Sequence, residues 1–372
     1  AQAGSITPEM DKNIMAGLDA IYTMDFDAAE RAARRVIELA PDHPQGYFAE
    51  ASVAWTRYVY DTEETDQSLV EPFEKKTAEV IKLADRWLKK HPKDSDVLMI
   101  QGSAYGLSSR LLVMRRSWLS AYWDGRAALG LVRDAVAADP QNHDARLGVG
   151  MYDYYSDVYP RFIGVLAKIM LRGDRLRGIE TLKLVAEKGR YSKFAAKLLL
   201  VEIFTMDAFG AKNPEEALRI SREVRAAYPG SPMLHAAELV SLYEAKRYEE
   251  AAAGAREFLE RVKQGKYRPL DQAKGSVILA TALWAEGKKE EALAAMRAGT
   301  EVKMGGRLSR WSVWALTRAG QLEDLLGRHE DARRSFRAAA AEVDTWGMRE
   351  VAKENVRHPF KTDGYPGPIQ PP

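Results

Sequence analysis

The sequence predicts an all-α solenoid of about seven helical hairpins, and three observations carry that expectation. Ala, Leu, Glu, Lys and Arg dominate the stretches between Gly and Pro, and these are the strong helix formers. Alternating Val/Ile/Thr patterns with hairpin dipeptides are missing. Segments with one small-residue pattern recur at Ala217, Ala251, Ala292 and Ala332, in steps of 34, 41 and 40 residues.

The first hairpin is read from DFDAAERAARRVIELAP, where Gly17 lies twelve residues before Ala29 and Pro41 twelve after it. Small residues at those places let two antiparallel helices approach, and the proline stops the second. Degenerate copies follow: EVIKLADRWLKKHP ends at Pro92, and GRAALGLVRDAVAADP sets Ala128 twelve residues before Pro140. Past the centre come NPEEALRISREVRAAYP, RYEEAAAGAREFLE, KKEEALAAMRAG and RHEDARRSFRAA. Their acidic pairs Glu215-Glu216, Glu249-Glu250 and Glu290-Glu291 open helices, where negative charge complements the N-terminal dipole. In the last copy Gly320, Ala332 and Phe336 fall on preferred motif positions. A 34-residue period with this pattern resembles the tetratricopeptide repeat, and the longer steps imply lengthened helices or loops. One hairpin cannot cover its own apolar face, so neighbours must stack.

This organisation divides the chain into N-terminal hairpins (1–145), a Gly/Tyr-rich centre (146–213), C-terminal repeats (214–345) and a tail (346–372). From His358 the tail carries five prolines and is expected to be an extended strap or disordered.

The centre breaks the repeat pattern. Gly148 and Gly150 precede four tyrosines, at 152, 154, 155 and 159, and then Pro160. Phe162, Val165, Leu166, Ile169 and Met170 share one face of a helix, with Arg161, Lys168 and Arg172 away from it. Such a face packs into the solenoid core, lies in a membrane interface, or lines a pocket for a lipid-like molecule. Asp174, after Gly173, is placed to cap the next helix. Aromatic residues gather from Tyr105 through Trp118, Tyr122 and Trp123 to Tyr159; flat rings with polar tips suit either an amphipathic ligand or a core with satisfied hydroxyls. The candidate ligand-binding set is therefore Trp118, Tyr122, Tyr152, Tyr155, Tyr159, Phe162, Val165, Leu166, Ile169 and Met170. Arg110, Arg115 and Arg116 either receive an acidic headgroup or form a solvated face.

Gly148, Gly150, Tyr152, Pro160, Gly173, Asp174, Arg175 and Gly178 together resemble the centre of the eukaryotic tetratricopeptide-repeat 39 family. Members of that family are non-enzymatic and linked with lipid handling and organelle surfaces, so the resemblance implies a binding role. It specifies no ligand.

Several function classes are disfavoured. Lys+Arg 55 against Asp+Glu 53 leaves no basic excess of the kind nucleic acid requires. With no Cys there are no disulfides or thiolate sites. No nucleophile elbow, H-E-x-x-H, phosphate loop or dinucleotide fingerprint occurs, so neither enzymatic activity nor a cofactor is expected. The six His are scattered without zinc spacing, and surface or capping roles are expected for them. DTEETDQS reads as an exposed acidic loop rather than a calcium or other metal site. No apolar run reaches the roughly 20 residues needed to span a bilayer.

The sequence starts Ala1-Gln2-Ala3-Gly4 without Met, which suits a chain exposed by signal-peptide removal and equally a trimmed one; the expectation is an exported, periplasmic protein. The favoured function is a non-catalytic bacterial-envelope protein holding an apolar, lipid- or sterol-like molecule in a central helix-lined pocket, with peripheral membrane contact compatible. The alternative is a protein–protein scaffold using the concave face of the solenoid.

Overall fold

The computed structural model describes residues 5–158, 173–342, 347–362 and 366–369. Most of them are helical, and the chain divides into two compact units, Ala1–Lys212 and Asn213–Pro372. The first unit holds α1 (Pro8–Thr23), α2 (Phe26–Leu39), α3 (Gln45–Thr56), α4 (Val70–Leu88), α5 (Ser95–Met114), α6 (Trp118–Ala138), α7 (Arg146–Val158), α8 (Arg175–Lys188) and α9 (Lys193–Met206). The second holds α10 (Pro214–Ala227), α11 (Pro232–Glu244), α12 (Tyr248–Lys263), α13 (Asp271–Ala285), α14 (Lys289–Arg297), α15 (Arg310–Leu325), α16 (His329–Ala341) and α17 (Met348–Arg357).

Within each unit neighbouring helices pair, and alternate helices also meet: α1 with α3, α3 with α5, and in the second unit α11 with α13 and α13 with α15. In each unit the odd-numbered helices therefore form an inner layer, and the even-numbered ones an outer layer. Composition follows position. Outer helices bury a single stripe, as with Ala29, Ala33 and Val36 on α2 or Ala332, Phe336 and Ala339 on α16. Inner helices α13 and α15 are buried on almost every side. The repeat alanines Ala217, Ala251, Ala292 and Ala332 are all fully buried. A Cβ at Gly320 would stand 2.6 Å from the Phe336 ring, which is why that inner-helix position is glycine. The acidic pairs lie in the first turns of α10, α12 and α14, as their charge requires.

Four expectations need correction. Lys303–Met304 and Arg307–Leu308 pair as a two-residue antiparallel hairpin across Gly305-Gly306, both at positive φ, so one hairpin dipeptide was present after all. His43 and His235 are buried rather than on the surface: an apolar shell holds each ring, and one nitrogen of each reaches a hydroxyl (Ser5 at 2.9 Å, Tyr267 at 3.0 Å). Glu63, in the acidic loop, is buried as well. Residues 348–357, inside the segment read as a tail, form α17, because Met348 and Ala352 give it an apolar stripe to bury. Beyond it residues 358–362 and 366–369 are non-helical, with Pro366 and Ile369 buried, so this part of the tail is a strap.

Gly150, Gly173 and Gly178 of the central motif hold α7 and α8 in close contact, whereas Gly148 faces Val132 of α6. A Cβ on Gly178 would lie 2.7 Å from the Tyr154 backbone N and 2.8 Å from the Gly150 carbonyl. One on Gly173 would lie 2.4 Å from the Asp153 carbonyl. Asp174 caps α8, accepting from Arg177 N at 3.1 Å. Arg177 donates two bonds of 2.8 Å to the buried Asp153 carboxylate, a bidentate pair that fixes the helix register. Tyr154 donates to Asp207 at 2.8 Å. Gly150, Gly173, Asp174 and Gly178 of the motif that carries the family resemblance thus belong to a helix-to-helix clasp.

Two outcomes follow. Gly178→Ala places a methyl against backbone that cannot yield, and is expected to lower unfolding free energy by about 1–3 kcal/mol in denaturant titration. Burial, with Arg225 and Arg261 adding repulsion, pushes His235 down to about 3. Its ring is neutral in the folded protein, whereas the unfolded chain takes up the proton near pH 6.5. Stability is therefore expected to fall as pH drops from about 6.5 toward about 3, and His235→Gln should remove one proton from that slope.

Candidate functional site: an apolar cavity in the first unit

The first unit curls until its last helix pair reaches its first helix. Asp144, itself buried, accepts backbone N–H bonds from Arg190, Tyr191 and Ser192 at 3.2, 3.0 and 2.7 Å, and so pins the turn ahead of α9. That turn carries Tyr191 and Arg190 onto α1, where both donate to the Asp11 carboxylate, at 2.6 Å and 2.7 Å respectively. Tyr191 also packs on the cluster of Met10, Ile14 and Val36, and Phe194 meets Tyr22 with ring centroids 5.5 Å apart. Hydrogen bonding from the Arg190 guanidinium holds the Asp11 carboxyl below its ordinary value against the penalty of burial, and Tyr191 adds to it.

Inside this closure lies a cavity of about 720 Å³. Its wall is mostly aliphatic and aromatic: Ile14 and Ile21 from α1, Phe48 and Trp55 from α3, Met99 and Leu107 from α5, Leu129 from α6, and Met151 from α7. Small residues make the room, and they do so in two ways. A Cβ at Gly102 would meet Val132 at 2.8 Å, so that glycine serves packing between α5 and α6. One turn further, a Cβ at Gly106 would meet nothing within 4 Å, so Gly106 opens onto the void. Polar side chains are the minority of the lining. Tyr155 donates to Glu202 at 3.2 Å, and the Arg110 guanidinium lies 5.7 Å from the Trp55 ring centroid. Such an arrangement can seat an apolar body and orient it by one or two polar contacts.

Trp118, Tyr122, Tyr152 and Tyr155, four of the residues singled out from sequence, line this cavity. Tyr159, Phe162, Val165, Leu166, Ile169 and Met170 lie outside the described residues. Arg110 lines the cavity, whereas Arg115 pairs with Glu74 at 2.7 Å and Arg116 is exposed. Sequence reasoning missed the walls given by α1 and α3, and also Gly106 and Glu202. The signal was there: α3 and α5 carry apolar or small residues on all sides, more than one outer helix can cover. At the rim, Trp118 and Leu119 line the cavity and yet are 43% and 66% exposed, and neighbouring Trp123 is 59% exposed. Among the described residues no group of three or more His, Asp or Glu is arranged to hold a metal ion, and no helix is long and apolar enough to cross a membrane.

Two stacked layers of helical hairpins define the class: a tetratricopeptide-like α-solenoid, a protein-interaction architecture whose members are generally non-catalytic. Residues 14–58 match the tetratricopeptide repeat model, which covers α1 from Ile14 through α2 and α3, so the chain carries that repeat. Among solved structures it is similar to yeast Tom70, at 11% identity over 91% of this chain and 86% of that one, with a TM-score of 0.44. It is also similar to a tetratricopeptide repeat protein from Parabacteroides merdae, at 13% identity over 94% and 98% of the two chains, with a TM-score of 0.35. No curated protein matches the sequence.

The closing contact is testable by itself. Asp11→Ala removes the acceptor shared by Arg190 and Tyr191 and is expected to cost about 1 kcal/mol, a modest figure because the pair is partly solvated. The lowered Asp11 carboxyl gives stability that is complete above the unfolded value near 3.8 and is lost as pH falls through the folded value; the variant should lack that part of the acid limb in thermal melts.

Proposed function

We propose that the first unit is a non-catalytic carrier that holds one apolar molecule of the lipid or sterol class in its cavity. The observation that carries this reading is the cavity itself: about 720 Å³, walled mostly by aliphatic and aromatic side chains, with polar side chains such as Arg110, Tyr155 and Glu202 in the minority. Sites for small molecules span roughly 300–1,000 Å³ and share that composition. Apolar burial at about 25 cal/mol per Å² supplies the affinity. The rim supports loading at a membrane surface. Trp118, Leu119 and Trp123 are exposed there beside Arg115 and Arg116, and amphipathic rings with cations favour the headgroup layer. On this reading the protein works in the bacterial envelope, carrying its ligand through the water between two membranes.

Gly106 supplies the experiment. Gly106→Phe puts a ring into the open volume without meeting a neighbour at Cβ, so the fold should melt at or above the wild-type temperature. Titrated with the apolar fluorophore N-phenyl-1-naphthylamine, the wild type is expected to bind and the variant to bind at least tenfold more weakly. Mass spectrometry of organic extracts should find apolar molecules with the wild type and not with the variant. A wild type that binds no fluorophore and yields no such molecules, or a folded variant that binds equally well, overturns the carrier reading.

A further inference from the structure

We propose that the cavity of the first unit selects an acyl lipid with a zwitterionic head, held between Arg110 and Glu202 at one end, its chain laid along the helices toward the other. This rests on the carrier reading and adds the chemistry of the ligand and the direction in which it lies.

The helix pairings give the cavity an axis. α5 and α6 run antiparallel beside it: Ser109 Oγ donates to the Ala121 carbonyl at 2.8 Å, and a Cβ on Gly102 would stand 2.8 Å from Val132. α5 lines the cavity from Met99 to Val113, and α6 from Trp118 to Val132. At roughly 1.5 Å of rise per residue, each stretch is about 21 Å long. Over that length, about 720 Å³ gives a mean cross-section of about 35 Å², so the cavity is slender. The hydrocarbon core of a bilayer is about 30 Å thick and holds two leaflets, so one acyl chain reaches about 15 Å. The cavity has the length for such a chain and its head.

Charge distinguishes the two ends. Among the described residues that line the cavity, only Arg110 and Glu202 are charged. Arg110 follows Ser109, which places it at the end formed by Val113 and Trp118. A Cβ on Gly148 of α7 would meet Val132 at 3.0 Å, at the far end, so α7 carries Tyr155 toward the near end, where its hydroxyl donates to Glu202 at 3.2 Å. The charges of Arg110 and Glu202 act with opposite sign on one hydroxyl, that of Tyr60. Glu202, Trp118 and Leu119 are all exposed, so this is an end open to solvent. The polar lining at the far end is neutral. Two of its members are already engaged: Asn13 donates to the Glu9 carbonyl at 2.8 Å and Tyr191 to Asp11 at 2.6 Å.

A ligand seated here covers one cation and one anion. A sterol offers a single hydroxyl to both, and leaves charge desolvated without compensation. A fatty acid satisfies Arg110 but brings its carboxylate up to Glu202, like charge against like. A phosphate on the guanidinium fork with an ammonium on the carboxylate satisfies both at once. The Trp55 ring, its centroid 5.7 Å from Arg110, steadies the guanidinium at that position.

The test is displacement of N-phenyl-1-naphthylamine by ligands that share a palmitoyl chain and differ in the head, with cholesterol beside them. Palmitoyl-lysophosphatidylethanolamine is expected to displace the fluorophore at a concentration at least tenfold below that of monopalmitin, palmitoyl-lysophosphatidic acid or cholesterol. Glu202→Gln removes the anion from an exposed position and should erase the preference over lysophosphatidic acid, while monopalmitin stays within twofold. Arg110→Gln should weaken lysophosphatidylethanolamine at least tenfold and again spare monopalmitin. Should Arg110→Gln fail to fold in thermal melts, the ligand series and Glu202→Gln decide. Equal displacement by the three palmitoyl ligands, tightest binding of lysophosphatidic acid or cholesterol, or an unchanged preference in folded Glu202→Gln overturns the proposal and leaves the carrier reading standing. A wild type that binds neither the fluorophore nor any of the ligands overturns both.

Discussion

An inner helix of a stacked hairpin has two apolar sides to cover, and its outer partner covers only one. Both units answer to that constraint. In the second unit, α13 and α15 are buried all round because the strap with Pro366 and Ile369 lies over the side their outer partners leave open. In the first unit, α1, α3, α5 and α7 turn the corresponding side toward a shared cavity, and curvature brings them far enough around for Asp11 to meet Arg190 and Tyr191. The same physical demand is met by a peptide in one place and by enclosure in the other.

Polar groups are used sparingly and for position. Asp144 organises three backbone N–H groups of one turn, and Asp153 receives both arms of Arg177. Each is a buried carboxylate with its acceptor capacity matched to donors, which is the condition for burying such a group without loss. These contacts lie at the periphery of the cavity and leave its wall apolar. His43 follows the same logic in neutral form: burial pushes it down to about 4, and its ring takes a backbone N–H from Gln45.

Much of the architecture was legible because repeats announce themselves through small residues. Ala217, Ala251, Ala292 and Ala332 were recognisable by spacing, and all are interior. Gly150 and Gly178 were recognisable as parts of one central motif, though not as partners of one another, since a contact so distant in sequence leaves no periodic mark. The cavity was half legible. Trp118, Tyr122, Tyr152 and Tyr155 drew notice as an aromatic concentration, whereas Ile14, Phe48 and Met99 look like any core residue until curvature is known. His43 and His235 were misplaced because turn-proximal position says nothing about the apolar shell that tertiary packing builds around a ring. The strap was visible as a proline run, but its groove depends on donors from Tyr243, Trp314 and Arg318, which lie far apart in the sequence.

The contact between α1 and the turn at residues 190–191 bears on how such a chain can change over time. An open stack tolerates added or deleted hairpins, because each new unit merely extends an end. Once the beginning is fastened to a later turn, any gain or loss of a hairpin between them pulls Asp11 away from Arg190 and Tyr191. The hairpin number of this unit is then locked, and variation is channelled into the residues that face its interior.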